Sequence, residues 1–201
     1  VPPTGAGITG LALSPDGKGL VFSQASWAVD VPEKMTTLPV GDHRLIPLKG
    51  CNLRGISIDA GGIQQISSED FLDMFPSFAP SGDGLLFSSN RRRPKLSDIL
   101  RINYPRKTGI SNIYINPDEA MAFKPTMASD GTIAFVVYPD DESDPQVWTT
   151  GGRFEFPTQI TKGVEPAISP DGKRIAYIGL DGNLWVTDSD GSNQIQLTSG
   201  A

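Results

Sequence analysis

The sequence is poor in the side chains that most catalytic and metal sites require. Among 201 residues it has one cysteine, Cys51, and one histidine, His43. A single cysteine excludes a disulfide within the chain, and one thiol with one imidazole cannot complete a structural zinc site. No third group that would orient a Cys–His pair stands at a recognisable spacing. We therefore predict no catalytic residue, no metal and no cofactor, although a paired-carboxylate mechanism stays open because acids are plentiful.

Positive charge and long apolar runs are also scarce. The chain carries 17 Lys and Arg against 23 Asp and Glu, for a formal net charge of −6. A general nucleic-acid role needs a basic face, so we expect none. No apolar run approaches the about 20 residues of a membrane-spanning helix, and no signal peptide is recognisable. The first residue is Val1 rather than Met, which indicates that something upstream has been removed.

Turn residues, by contrast, are plentiful, and they recur in one unit. The chain has 22 Gly and 17 Pro. A short apolar run leads into a Ser, Pro, Asp and Gly turn and out into a second apolar run, at 8–17, 75–84, 124–131 and 165–172. Proline presets φ, aspartate bonds its own backbone and glycine takes the positive φ, so each turn predicts a hairpin.

The runs after these turns have the composition of buried strands. They are short, β-branched and aromatic, and no stretch of the chain sustains helical periodicity over three turns. Second hairpins follow at 52–67 and 183–198, so each unit is predicted to have four antiparallel strands. One aromatic residue recurs at the same place in each second strand and is predicted to pack between neighbouring sheets: Phe22, Phe87, Phe135 and Tyr177.

Four-stranded units that repeat every 40–50 residues are typical of the blades of a β-propeller. We predict an all-β fold of four blades in one propeller region, with approximate blade bounds 8–68, 69–116, 117–162 and 163–201.

The repeat has a residue-level resemblance. The pattern Pro-x-(Phe/Ile)-Ser-Pro-Asp-Gly-Lys-x-Ile-Ala-(Phe/Tyr), then Asn-Leu-Trp-Val, then Gln-Leu-Thr resembles the repeat of the TolB propeller and its WD-like relatives. The span 165–198 matches nearly throughout, the first two blades match in part, and the third matches mainly in its Ala-Ser-Asp-Gly turn and Val147-Trp148. The resemblance implies the fold and a periplasmic or extracellular location. It leaves the function open, because the same repeat occurs in periplasmic scaffolds, in peptidase-linked propellers and in some lyases and cyclases.

Four blades stand at the low end of the propeller range. The tail 197–201 has the composition of a lead-in to another blade, so we expect part of a larger propeller. An open arc of blades would expose apolar flanks, and a partner chain, a second copy or further blades would be needed to cover them.

The irregular sequence is concentrated in two kinds of connection: those between the second and third strands of a blade and those between blades. In a propeller both kinds lie on the same face, which we call the loop face. The minimal turns between first and second strands lie on the opposite turn face. On the loop face, Arg91, Arg92, Arg93 and Lys95 form a cluster that could clamp a carboxylate or phosphate. The alternative is a solvated loop paired with nearby acids. Trp27 stands at a strand exit on the same face and is a candidate anchor for a partner.

The connection in the third blade is acidic. Asp140, Asp141 and Asp144 are candidate ligands for Ca²⁺, since carboxylate oxygens suit that ion. The run lacks the spacing of a dedicated calcium loop, and a charged exposed turn is the alternative.

These observations predict a non-catalytic binding scaffold whose loop face recognises a protein or peptide, with a glycan as a possible ligand. Neither nucleic acid nor membrane insertion is expected. The alternative is the accessory propeller domain of a peptidase or other hydrolase whose catalytic domain lies outside the chain.

Overall fold

In the described part of the chain, the fold has four sheets of four antiparallel strands and one two-stranded hairpin. The computed structural model describes residues 6–26, 38–40, 43–45, 50–67, 71–93, 96–115, 120–139 and 143–200. Blade one contains β1 (Ala6–Leu13), β2 (Gly19–Ser26), β5 (Cys51–Ser57) and β6 (Gly61–Gln65). Blade two contains β7 (Asp73–Phe78), β8 (Gly84–Ser89), β9 (Asp98–Asn103) and β10 (Thr108–Tyr114). Blade three contains β11 (Met121–Met127), β12 (Ile133–Tyr138), β13 (Gln146–Gly151) and β14 (Phe154–Lys162). Blade four contains β15 (Val164–Ile168), β16 (Arg174–Ile178), β17 (Leu184–Asp188) and β18 (Ile195–Gln196).

Within each blade the strands pair in chain order, as in a propeller. The first strands of consecutive blades contact one another, β1 with β7, β7 with β11 and β11 with β15. They are therefore the inner strands of the array. The predicted all-β propeller of four-stranded blades is confirmed.

One part of blade one differs from the expectation of a purely irregular loop. Between β2 and β5 lies a small hairpin of β3 (Leu38–Val40) and β4 (His43–Leu45), which pair antiparallel. It places His43 at the start of a short strand.

The four repeated turns occupy equivalent places, between the first and second strand of each blade. Gly17, Gly131 and Gly172 have φ between 70° and 84°, the region that only glycine enters without strain. In blade two the residue with positive φ is Gly82, at 74°, two residues before Gly84; its N–H bonds the carbonyl of Ala79, as that of Gly17 bonds the carbonyl of Ser14.

The core lies between the blades. Phe87 packs with residues of blades one and two, Phe135 with residues of blades two and three, and Tyr177 with residues of blades three and four. All three are at most 3% exposed, and Phe22 on blade one is 7% exposed. The predicted common register of these four aromatic residues is confirmed, and their packing between sheets is confirmed for Phe87, Phe135 and Tyr177.

Each inner strand contains a β-bulge. The register with the second strand shifts between Ile8 and Gly10, Met74 and Ser77, Phe123 and Thr126, and Val164 and Ala167. Bulges re-aim side chains, and they tolerate proline because the extra residue needs no ladder hydrogen bond. Among the described residues, no helix is long and apolar enough to cross a bilayer.

Candidate functional site

The aspartates of the turn face are held inside their own turns. Ser14 Oγ donates to Asp16 Oδ1 at 2.5 Å, and Ser169 Oγ donates to Asp171 Oδ1 at 2.7 Å. These hydroxyl hydrogen bonds, with a backbone N–H from Lys18 or Lys173, lower the pKa of both carboxyls below the usual value. Their acceptor oxygens are therefore used to close turns, which gives them a structural role.

The loop face has a different construction around Arg91, which follows β8. Its Nη2 lies 2.6 Å from Oδ2 of Asp73, at the start of β7, and the Asp73 side chain has no exposed surface. Ser89 Oγ donates to the other carboxylate oxygen at 2.6 Å and accepts from Arg91 Nε at 3.2 Å. The guanidinium carbon also lies 4.9 Å from the ring centroid of Phe71. A buried carboxylate, a hydroxyl and an aromatic face thus fix the position of this guanidinium.

Arg92 and Arg93 share a second buried acid. Arg93 Nη2 lies 3.2 Å from Asp98 Oδ1, and Arg92 Nη1 lies 3.6 Å from Asp98 Oδ2. The Asp98 side chain is 3% exposed, whereas those of Arg92 and Arg93 are 42% and 34% exposed. One carboxylate therefore anchors two guanidinium groups that still reach the surface.

A second group of side chains lies within the bulges of the inner strands. Phe75, Lys124 and Glu165 each precede a proline and have φ of 53°, 54° and 55°. A non-glycine residue in this left-handed region costs of order 1 kcal/mol or more, and such strain is concentrated at functional sites. Lys124 Nζ is ion-paired with Glu165 and lies 5.3 Å from the ring centroid of Phe75. The three bulges thus present one continuous row, the inner row, across blades two, three and four.

Tyr138, at the end of β12, stands beside this row. Burial, reinforced by the negative charge of Glu165, raises the pKa of its hydroxyl above the usual value. It packs edge-on against Phe123, with ring centroids 5.9 Å apart. The hydroxyl therefore stays protonated and able to donate a hydrogen bond.

The arginine cluster and the inner row meet on β7. Asp73 begins that strand, and Phe75 lies two residues further on. Both Phe75 and Tyr138 pack against one buried cluster that includes Met74 and Cys51, and Leu72, next to the Arg91 site, packs there too. The two groups therefore belong to one region at the loop-face end of the inner strands.

The structure thus brings three of the predicted site residues, Arg91, Arg92 and Arg93, together with two acids that sequence reasoning did not pair with them. Trp27, Lys95, Asp140 and Asp141 lie outside the described residues.

The remaining predicted metal candidate, Asp144, is described. It is ion-paired with Lys162 at 2.9 Å. Within the described ranges, no three His, Cys, Asp or Glu side chains gather as a metal site would require.

Sequence reasoning missed the inner row. Its signal was present as the recurring X-Pro step, in Phe75-Pro76, Lys124-Pro125 and Glu165-Pro166. In the sequence that step is part of the repeat, and nothing local marks it as a device that orients the preceding side chain.

The turn face also carries a cleft, of about 440 Å³, between blades one and two. Phe78 and Tyr104 meet edge-on in its wall at 5.3 Å, and Lys18 and Lys107 stand among its lining residues. Lys107 Nζ is already hydrogen-bonded to Gln64 Oε1 and to the carbonyl of Gln65. The cleft is therefore bridged by a blade-to-blade contact.

No protein-family model matches the sequence, and no curated protein is similar to it by sequence. Solved structures do match. TolB from Acinetobacter baumannii aligns with a TM-score of 0.67 and 18% identity over 95% of this chain and 43% of that one. An oligogalacturonate lyase in complex with manganese aligns with a TM-score of 0.66 and 17% identity over 98% of this chain and 54% of that one.

A third match is dipeptidyl peptidase 4 of Porphyromonas gingivalis, with a TM-score of 0.56 and 12% identity over 96% of this chain and 31% of that one. The chain therefore spans about half the length of the first two proteins and a third of the last. Identities this low carry the fold and no function. The fold is that of a TolB-like β-propeller.

Proposed function

We propose that the chain is a non-catalytic binding scaffold whose loop face grips an acidic segment of a protein or peptide partner. The observation that carries the proposal is the anchoring of Arg91, Arg92 and Arg93 by the buried carboxylates of Asp73 and Asp98. Fixed guanidinium groups lose little side-chain entropy on binding, and their planar fork suits a carboxylate.

The charge balance of the region supports an anionic ligand. Among the described residues of the region, four cations, Arg91 to Arg93 and Lys124, pair with three acids, Asp73, Asp98 and Glu165. The chain as a whole is net negative, so this region is a local exception. Electrostatic complementarity of this kind mainly raises association rates and specificity.

The resemblance to TolB supports a location in the periplasm or outside the cell. A second candidate function, the accessory propeller domain of a peptidase, is favoured by the match to dipeptidyl peptidase 4, of which this chain corresponds to 31%. The two proposals share the loop face as the recognition surface. They differ in whether a catalytic domain belongs to the same polypeptide.

The test measures binding to an array of acidic peptides, each beside its Asn/Gln counterpart, with acidic oligosaccharides as a further set. The key variant is Arg92→Gln. The Arg92 side chain is the most exposed of the three arginines, and Asp98 still has Arg93 as an ion-pair partner in the variant. Full removal of the cluster is avoided, since a buried carboxylate left without a partner destabilises the fold. We expect Arg92→Gln to weaken peptide binding about tenfold and to flatten its salt dependence, as lost charge complementarity does.

The control is Lys18→Ala with Lys173→Ala on the turn face, which should leave binding unchanged. Sensitivity of the turn-face lysines would mean that the recognition face is the opposite one. Selective binding of the oligosaccharides would identify a glycan ligand and overturn the peptide proposal, and turnover of any probe by the purified chain would overturn the non-catalytic class.

A further inference from the structure

Blades two and three each pack one face on the preceding blade and the other on the following blade. The face toward the following blade is marked by an apolar residue in the third strand. Leu53, Ile99, Val147 and Leu184 are equivalent there, since each lies opposite the same position of the second strand. The first three are 0% exposed, whereas Leu184, on blade four, is 40% exposed. Blade four therefore presents an uncovered copy of a surface that is buried in the other three.

The face toward the preceding blade is likewise exposed in one blade, at the other end of the array. Leu13, Phe78, Met127 and Ile168 are equivalent in the first strands, each opposite the start of its second strand. Phe78, Met127 and Ile168 pack in the clusters between their blade and the preceding one. Leu13, on blade one, is 56% exposed. Blade one thus leaves the Leu13 end of the partner surface uncovered, whereas Phe22 on the same face is buried.

Both surfaces are more than single residues. On blade one, an apolar row crosses the whole sheet through directly paired positions: Leu13, Leu20, Ile56 and Ile63. We call this the N face.

On blade four, Val186 pairs with Ile195, and the backbone N–H of Leu197 bonds the carbonyl of Leu184. These four residues form the C face. Of the C face, Ile195 and Leu197 are 53% and 55% exposed, and of the N face, Ile63 is 60% exposed. Extended apolar patches of this kind mark interaction surfaces.

We propose that the N face of one copy of this chain and the C face of a second copy form a further blade–blade interface, head to tail. Each internal interface already joins a surface of the C type to one of the N type, so the two uncovered surfaces are complementary by construction. Two copies joined in this way at both ends close into a ring with a two-fold axis.

The size of the ring supports a second copy as the occupant. Two copies supply four plus four blades, and propellers typically have about four to eight. The matched TolB and lyase chains are about twice as long as this one, so a second copy has the size of the part of those chains that this chain leaves unmatched. The interface would also cover the exposed apolar edge that an open arc leaves.

The test measures molecular mass by light scattering and sedimentation across a range of concentrations. The wild-type chain is expected at twice 21.5 kDa. Leu13→Glu and Leu184→Glu are each expected to give monomers, because each places a carboxylate in one of the two surfaces. Phe156→Glu on β14, where Phe156 is 69% exposed outside both faces, is the matched control and should stay dimeric.

Mixing the two monomeric variants tests the head-to-tail pairing. The Leu13→Glu chain keeps an intact C face and the Leu184→Glu chain an intact N face, so the mixture should regain a dimer through one interface. A mixture that stays monomeric overturns the head-to-tail pairing, and so does a wild-type chain that is monomeric throughout. An assembly larger than a dimer, abolished by the same variants, overturns the closed ring.

Both substituted side chains are exposed in the single chain, so each variant should keep its fold, which circular dichroism and thermal melting check. Leu197→Glu provides a second C-face variant with the same expectation. None of these residues belongs to the arginine cluster or the inner row, so failure here is separable from failure of the proposed function.

Discussion

At the scale of single residues, the repeated aromatic of the second strand is the clearest source of stability. Phe87 and Phe135 are fully buried between blades, and each is surrounded by aliphatic and aromatic side chains of two sheets. A large buried ring contributes both its transfer free energy and the packing of the cavity that it fills.

Truncating Phe87 to Ala is therefore expected to lower the free energy of unfolding by about 3–5 kcal/mol. Chemical denaturation measures the change, with Phe156→Ala as the control, because that ring is mostly exposed and its loss should be nearly neutral. A loss below about 1 kcal/mol at Phe87 would contradict its placement in the core.

The turn aspartates make stability depend on pH. The hydroxyl of Ser169 and the N–H of Lys173 hold the pKa of Asp171 below the usual value of an aspartate carboxyl. A carboxyl whose pKa is lower in the folded state binds protons less readily there than in the unfolded chain. Its stabilisation is therefore complete above the unfolded pKa and is lost as the pH falls through the lowered folded value.

We accordingly expect the melting temperature of the wild-type chain to fall as the pH drops below about 4, the unfolded pKa of aspartate. Asp171→Asn keeps an acceptor for the turn but has no titrating proton, so its decline should be shallower. Parallel declines of the two proteins between neutral and acidic pH would mean that this turn does not contribute to acid sensitivity.

At the scale of elements, the turns decide which glycines are required. The turn between β13 and β14 contains Gly151 and Gly152, with φ of 69° and 54°. A methyl group on Gly152 would lie 2.4 Å from the backbone nitrogen of Thr132, whereas one on Gly17 would meet nothing within 4 Å. Gly17 has a φ of 71°, so a substitution at either position carries a similar backbone penalty. The two positions differ in the room that is available for a side chain.

Gly17→Ala should therefore cost only the strain of the left-handed conformation, about 1 kcal/mol. Gly152→Ala should cost clearly more, because the neighbouring backbone cannot move aside as a flexible side chain can. Denaturant melts of the pair provide the comparison. Equal losses in the free energy of unfolding would show that the turn between β13 and β14 moves away from Thr132 to make room for the methyl group.

At the scale of the whole molecule, position in the array determines how well a blade is covered. Blades two and three have a neighbour on each side, and all residues of β8 are buried. Blade four repeats the same sequence pattern but is covered on one side, so in β16 only Ile175 and Tyr177 are buried and the positions between and after them are half-buried. Local stability follows the number of buried apolar contacts.

Amide hydrogen exchange should therefore be slowest in β8 and β12 and faster in β16. The comparison is made at a protein concentration low enough to hold the chain monomeric, with the Leu184→Glu variant as a check. Equal protection of the three strands would indicate that the array unfolds as one cooperative unit despite its unequal coverage.

Much of this fold follows from the sequence because its determinants are local. The turn residues, the alternation of short apolar strands and the recurring aromatic lie within about ten residues of one another, which is the range over which a hairpin forms. The sequence therefore determined the blades, the register of Phe22, Phe87, Phe135 and Tyr177, and the face that carries the long connections. It also placed Arg91 to Arg93 together, since they are adjacent in the chain.

Only the tertiary structure decided what those arginines contact. Asp73 and Asp98 reach them because β7, β8 and β9 pair side by side, and the burial of each carboxylate depends on the packing of whole blades. The inner row joins residues 41 apart in the chain through two neighbouring bulges. Leu53 and Leu184 occupy the same position of the repeat, yet one is buried and the other exposed. The repeat specifies a blade, whereas only the neighbours in the array specify which of its faces meets water.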